Sequence, residues 1–195
     1  MSRHSASLPP QYFETMFQST PDPWNLETSL YEEGKYTNSM EALGARRYAE
    51  GFEIGCAKGV LTRKLADKAA SLLSVDVSGT ALRAARRRCA DLDHVGFANM
   101  RFPAQAPNRI FDLIVLSEVV YYWDDDDIGR AAHWLAYHLV PEGDVLLVHW
   151  TGATDYPQSG DKAVEKLQAL VAHRMSILRA ERHEHYRLDL WRKIK

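Results

Sequence analysis

The chain has 195 residues, 46% hydrophobic and 26% charged, with a formal net charge of −2. That length suits one packed core, the composition excludes a disordered or fibrous chain, and the near-neutral charge offers no global attraction for nucleic acid. The apolar runs fall far short of a membrane span, and the start MSRHSASLPPQ holds no continuous apolar signal core, so the cytoplasm is the expected compartment. Cys56 and Cys89 are too few for a disulfide framework and lack metal-ligand spacing; thiols and no metal are expected.

In chain order, residues 1–48 read as a helical cap or lid ahead of a core over 49–195, the whole making a single domain. Pro21, Asp22, Pro23, Trp24, Tyr31 and Tyr36 mix rigid turns with large rings. Such a segment either closes over a ligand or packs as a helix pair on the outer face. A strand over 51–54 then runs into FEIGCAKGVLT. Gly55 and Gly59 permit backbone angles closed to other residues, and the helix expected over 59–69 offers free N–H groups at its start. A dinucleotide fold would supply Gly-x-Gly-x-x-Gly. From Glu53 the pattern is instead acid-x-Gly-x-Ala-x-Gly, with Ala57 in the middle slot. A carboxylate at this entrance repels a pyrophosphate and suits a cationic ligand. A second strand over 71–76 ends at Asp76, where a carboxylate can accept two ribose hydroxyls; the alternative is that Asp76 only precedes a helix capped by Ser78.

The helix over 80–91 turns Ala81, Leu82, Ala85 and Cys89 inward, leaving Arg83, Arg86, Arg87 and Arg88 as a solvated face. Strands follow over 95–100, 111–117 and 144–150. Between the last two lies a helix over 125–139 with Ile128, Ala131, Ala132, Leu135, Ala136 and Leu139 on one stripe. The acids 124–127 before it cap its N-terminus, and the turn 139–143 reads as structural. A polar passage over 151–161 leads to a helix over 162–172. Two extended segments, 176–185 and 186–193, would pair antiparallel. Strands alternating with helices specify a parallel sheet covered on both faces.

The loop from Glu53 and the strand-end Asp76 together resemble the first two motifs of class I S-adenosylmethionine-dependent methyltransferases. That resemblance implies an α/β, Rossmann-like fold with a mostly parallel seven-stranded sheet, helices on both faces and an antiparallel final strand. It implies S-adenosylmethionine as cofactor and S-adenosylhomocysteine as product, held by Glu53, Gly55, Cys56, Ala57, Gly59, Asp76, Val77 and Ser117. Asn99 and Met100 would contact the adenine, or Met100 would be plain core. Trp24, Tyr31 and Tyr36 would bury the sulfonium, each ring adding an attraction on the order of 1 kcal/mol when desolvated. Five stretches, DPWNLETSLYEEGKY, FEIGCAKGVLT, VDVSGTAL, FDLIVLSEVVYYW and VHWTGATDYPQSGD, resemble more narrowly the nodulation protein S (NodS) N-methyltransferases. This implies an acceptor amine on the terminal glucosamine of a deacetylated chitooligosaccharide, as in Nod factor biosynthesis.

Methyl transfer from a sulfonium is an in-line displacement in which the protein binds and aligns. An amine acceptor must arrive unprotonated, and Glu118, His149 and Asp155 are the polar groups expected nearest it. His149 is the first choice for accepting a proton, its ordinary pKa lying near neutrality, unless it only holds a loop. Tyr121, Tyr122, Trp150 and Tyr156 are expected to line the acceptor pocket. Alternative readings are a methyltransferase for another small acceptor and a non-catalytic S-adenosylmethionine-binding protein. A nicotinamide-dependent oxidoreductase is disfavoured by Ala57 and Glu53.

Overall fold

The computed structural model describes residues 3–195. Its helices are α1 (Pro10–Ser19), α2 (Leu30–Leu43), α3 (Val60–Leu65), α4 (Gly79–Arg88), α5 (Asp125–His138) and α6 (Gly160–Val171). Its strands are β1 (Tyr48–Ile54), β2 (Ala69–Asp76), β3 (Val95–Asn99), β4 (Phe111–Ser117), β5 (Leu139–Trp150), β6 (Met175–Arg182) and β7 (Tyr186–Lys193). They form a seven-stranded mixed sheet. The chain divides into two compact units, residues 9–101 and residues 102–195 with the segment before Pro9.

In the unit of residues 9–101 the strand order is β3-β2-β1, all parallel. Helix α4 starts where the Ser78 hydroxyl accepts the Ala81 N–H at 3.0 Å and buries Ala81, Leu82 and Ala85, the stripe expected from their spacing. Helix α1 packs on α4, and α2 on α3. The expected cap over 1–48 is therefore divided, because α1 and α2 belong to this unit while residues 3–8 belong to the other. The helix expected over 59–69 stops at Leu65. Ala69 instead pairs with Tyr48 as β2 begins, so sheet pairing overrides the helix propensity of Ala66, Ala69 and Ala70.

In the other unit the order is β4-β5-β7-β6, with β4 and β5 parallel and β7 antiparallel to both its neighbours. Leu113, Ile114, Val115 and Leu116 are wholly buried, as are Val145 to Val148. Such unbroken apolar runs are what a strand covered on both faces requires. Helix α5 is capped by Asp124, which accepts the Asp127 N–H at 2.9 Å, and buries Ile128, Ala131, Ala132 and Leu135. Strand β5 begins at Leu139, earlier than the expected 144, because the 139–143 turn is a bulge in the ladder with β4; Glu142 there takes a left-handed φ of 62°.

Helix α6 begins at Gly160 directly against β5. A Cβ there would lie 2.0 Å from the Trp150 carbonyl oxygen and 3.6 Å from the His149 Cβ. Gly160→Ala should therefore lower the unfolding free energy by at least about 2 kcal/mol; a thermal unfolding curve matching the parent's would contradict this packing.

Candidate functional site

In the unit of residues 9–101 the sharp turn after β1 uses three left-handed residues in alternation, Gly55 (φ 79°), Ala57 (φ 46°) and Gly59 (φ 77°). These are the three small positions that follow the acid in the sequence pattern. Gly59 is required twice over, since a Cβ would also meet the Cα and Cβ of Ala85 on α4 at 3.0 Å. Ala57 holds a conformation that disfavours any side chain by roughly 1 kcal/mol. It is stabilised there by donating its N–H to Asp76 Oδ2 at 2.9 Å. The other Asp76 oxygen accepts the Ser78 N–H at 2.8 Å, so one carboxylate holds both the turn after β1 and the turn after β2. An ionised carboxylate has about four acceptor positions, and the backbone bonds do not use all of them. Asp76 is 8% exposed, and burial raises its carboxyl to about 6 against the backbone donors that lower it.

Glu53 lies behind the turn rather than on its open side. It is 1% exposed, and its Oε2 accepts hydrogen bonds from Thr62 Oγ1 at 2.6 Å and Ser74 Oγ at 2.8 Å. Burial drives its carboxyl up to about 7, the two hydroxyl donors oppose this, and the charge of Asp76 adds to the rise. Glu53 thus ties β1, β2 and α3 together. Cys56 is buried and donates its N–H to the Val75 carbonyl at 3.0 Å. The side-chain amide of Asn99 donates to the Asp76 and Val77 carbonyls at 3.1 and 2.9 Å, which leaves its Oδ1 as the acceptor. Met100, half-buried, gives its N–H to the Asp76 carbonyl at 3.0 Å.

Three carboxylates fasten the segment before β1 to this loop region. Glu14 of α1 accepts from Ser78 Oγ (2.7 Å), the Thr80 N–H (3.1 Å) and Thr80 Oγ1 (2.5 Å), and its carboxyl is held down to about 2, the Thr80 hydroxyl contributing most. Glu27 pairs with Lys58 at 2.6 Å and with Arg88; Glu33 pairs with Lys64 at 2.7 Å. Sequence reasoning missed these acids. Their only signal was an acidic residue ahead of the cofactor loop, which does not say where it lands. The three expected rings differ in setting. Trp24 packs edge-on against Phe17 with centroids 5.5 Å apart, Tyr31 carries the Lys35 ammonium 5.3 Å from its ring centroid, and Tyr36 is buried.

In the second unit, β4 ends at Ser117 and the chain reverses at Glu118, a left-handed residue with φ 57°. Its Oε2 accepts from the Tyr121 hydroxyl at 2.6 Å and from the Trp150 N–H at 2.9 Å. Tyr121 stacks on Tyr156 at 5.4 Å and meets Tyr122 edge-on at 4.6 Å, while Tyr122 and Tyr156 lie 4.7 Å apart. Burial, with the Glu118 charge next, pushes the Tyr121 hydroxyl well above its ordinary pKa; Tyr122 rises for the same leading cause. Trp150 tilts against His185 at 5.3 Å.

Two of the three expected proton-handling residues are placed otherwise. His149 is 0% exposed and its Nε2 accepts the Val120 N–H at 3.1 Å, so its ring holds the short helical turn Val120–Tyr122. Asp155 is half-exposed beside His4 at 3.9 Å. The structure therefore brings together Glu118, Tyr121, Tyr122 and Tyr156, with His149 as a support beneath them.

The family profile "Nodulation protein S (NodS)" matches residues 14–153, a span that runs from α1 through the β5 end. This chain belongs to the NodS family. It is similar to nodulation protein S of Sinorhizobium fredii, 31% identical over 127 residues that make up 64% of this chain and 59% of the relative. With nodulation protein S of Bradyrhizobium diazoefficiens it is 35% identical over 107 residues, 53% of this chain and 50% of that one. The chain thus matches between half and three-fifths of the length of these relatives. Its fold superposes on the N-methyltransferase NodS of Bradyrhizobium japonicum WM9, solved with S-adenosyl-L-homocysteine, at a TM-score of 0.80 and 23% identity, over 95% of this chain and 98% of that one. The fold is accordingly the Rossmann-like class I methyltransferase fold. Among the described residues no helix is long and apolar enough to cross a membrane, and no cluster of His, Cys, Asp and Glu could hold a metal ion.

The raised Glu53 carboxyl fixes a pH dependence. Folding favours its protonated form, so the stability it contributes is full below about pH 4.5, the ordinary value, and is lost as the pH rises through about 7. Glu53→Gln should flatten the fall of Tm across that window and leave the variant at least as stable as the parent above it. Parallel Tm profiles for the two proteins would contradict the assignment.

Proposed function

We propose that the chain is an S-adenosylmethionine-dependent N-methyltransferase acting on the free amine of the terminal glucosamine of a deacetylated chitooligosaccharide, a step of Nod factor synthesis carried out in the cytoplasm. The observation that carries the cofactor assignment is Asp76. Its carboxylate closes two backbone turns at the end of β2, and an ionised carboxylate with acceptor capacity beyond these bonds is suited to taking ribose hydroxyls. The three left-handed positions Gly55, Ala57 and Gly59 keep side chains off the turn beside it, and Asn99 Oδ1 suits an exocyclic amine. The residues present therefore fit the cofactor, which when bound supplies an electrophilic methyl group on a sulfonium.

The rest of the chemistry falls to this chain. Cys56, Val77, Met100 and Ser117 complete the cofactor contacts in this reading, and Trp24, Tyr31 and Tyr36 close the cap side. Glu118 is the acceptor-side residue. Its carboxylate is shared with Tyr121 and the Trp150 N–H, and it is suited to orient an incoming amine and to stabilise the cation formed as the amine is methylated. Tyr121, Tyr122 and Tyr156 offer ring faces and hydroxyls that suit a sugar, with Trp150 at the rim. Buried Tyr121 and Tyr122, with hydroxyls far from ionising, act as neutral hydrogen-bonding groups. His149 supports the Val120–Tyr122 turn rather than taking the proton, which can leave to solvent once the methylated ammonium forms.

Mass-spectrometric assay on N-deacetylated chitooligosaccharides should find one or more added methyls on the terminal amine. Asp76→Ala should weaken S-adenosylhomocysteine binding by more than tenfold, about 1.4 kcal/mol, whereas Glu118→Gln should cut turnover at least tenfold and leave that binding unchanged. Unaltered cofactor affinity in Asp76→Ala would sink the cofactor site. Cofactor binding without any methylated oligosaccharide would send the acceptor to a different small amine.

A further inference from the structure

We propose that residues 3–8 form a strap that fastens the loop after β4 to the loop after β5 and so holds the acceptor-side tyrosines in register, with Ser7 as its positioning residue. The inference rests on the acceptor reading above for its functional half and on hydrogen bonds alone for its structural half.

At one end of the strap Arg3 donates from Nη1 to the Tyr156 carbonyl at 2.9 Å and to Thr154 Oγ1 at 3.5 Å, and the His4 N–H reaches the Asp155 carbonyl at 2.9 Å. At the other end the Leu8 N–H reaches the Tyr122 carbonyl at 2.9 Å, and the Leu8 side chain is buried. Ser7 stands between these ends with its N–H and its hydroxyl both in use. Its N–H donates to Asp124 Oδ2 at 3.1 Å, its hydroxyl donates to Asp127 Oδ2 at 2.5 Å, and the hydroxyl oxygen accepts the Asp124 N–H at 2.9 Å. The strap therefore grips the carbonyls of Tyr122 and Tyr156, the two residues whose rings meet at 4.7 Å.

Without the strap, the loops are joined by the Gln158 N–H on the Tyr121 carbonyl at 3.2 Å and the Gln158 amide on Asp125 at 2.9 Å. Those bonds hold α6 to the start of α5, while residues 151–156 are held at their ends by the Thr151 N–H on the His185 carbonyl at 2.9 Å and by the Tyr156 ring contacts. Loops of this kind draw on the low-stability end of a fold. Ordering six strap residues opposes the hydrogen bonds they make, so the strap is a fastening that can be released, unlike a core strand. Ser7 is the central point of the fastening, because two carboxylates, Asp124 and Asp127, lie against it and would repel one another and α5's other acids more strongly without its donors. Strap and anchors 154–156 both fall outside the 14–153 segment matched by the family profile, whereas Glu118, Tyr121 and Tyr122 fall inside it.

The test uses the full chain with Ser7→Ala, Ser7→Asp and Ser7→Thr, the last keeping the hydroxyl. Hydrogen exchange should speed up at least tenfold over 119–124 and 151–158 in the Ala and Asp variants, stay at the parent rate over 53–62, and return toward the parent in Ser7→Thr. With a deacetylated chitooligosaccharide, KM should rise at least fivefold in the Ala and Asp variants, with kcat within twofold and S-adenosylhomocysteine affinity unchanged. Unaltered exchange in both loops overturns the strap. Faster exchange with an unchanged acceptor KM overturns its role in acceptor positioning, and a parallel loss of cofactor affinity reduces Ser7 to general stability and overturns it too. If the parent chain methylates no amine, the proposed function has failed instead, and the exchange rates decide the strap by themselves.

Discussion

One buried carboxylate governs the cofactor half of this molecule. Asp76 receives the Ala57 N–H on one oxygen and the Ser78 N–H on the other, so the turn leaving β1 and the turn leaving β2 close on the same group. Backbone donors favour the charged form, and burial opposes it. The balance leaves the carboxyl near 6, ionised at neutral pH yet held in a place where further donors are welcome. Glu53 stands one layer behind, where burial wins more completely and the carboxyl reaches about 7. Two acids on the neighbouring strands β1 and β2 therefore have separate duties. Asp76 is the acid proposed to meet the cofactor, and Glu53 keeps three elements together.

The other unit repeats the device with a different acid. Glu118 sits in the left-handed region, a conformation disfavoured for a side chain of its size. The hydroxyl of Tyr121 and the N–H of Trp150 compensate by converging on its Oε2. This arrangement puts the carboxylate among rings instead of in open solvent. Beneath it, the fully buried His149 takes the Val120 N–H, and its cross-strand neighbour on β7 is Arg187. Arg187 is itself buried and paired to Asp189 at 2.7 Å and to Asp161 at 3.2 Å. The β5 end is thus a polar support held by a chain of ion pairs and hydrogen bonds, and the reactive side is the surface carried on it.

Much of this was legible in the sequence. The turn Gly55–Ala57–Gly59, the strand-end Asp76, the α5 stripe and the antiparallel last strands all follow from local patterns, because each depends on backbone angles, periodicity or capping within a few residues. Helix α3 was overestimated because the alanines after Leu65 fit a helix as well as a strand, and only pairing of Ala69 with Tyr48 decides between them. The setting of His149 was undecided for a similar reason. Its position at a strand's carboxyl end is visible in the sequence, but whether the ring points to a ligand or to the Val120 amide depends on the turn above it. Glu14, Glu27 and Ser7 carry no local signature at all, since their partners lie from about thirty to well over a hundred positions away along the chain.

The most direct test of the account is a calorimetric titration of S-adenosylhomocysteine across pH 5 to 8, in buffers of different ionisation heat. Hydroxyl donors prefer an ionised Asp76, so affinity should rise as the pH passes about 6, with proton release on binding below that point and none in Asp76→Asn. Absence of binding at every pH, or binding whose pH dependence survives in Asp76→Asn, would contradict the assignment of this carboxylate as the centre of the cofactor site.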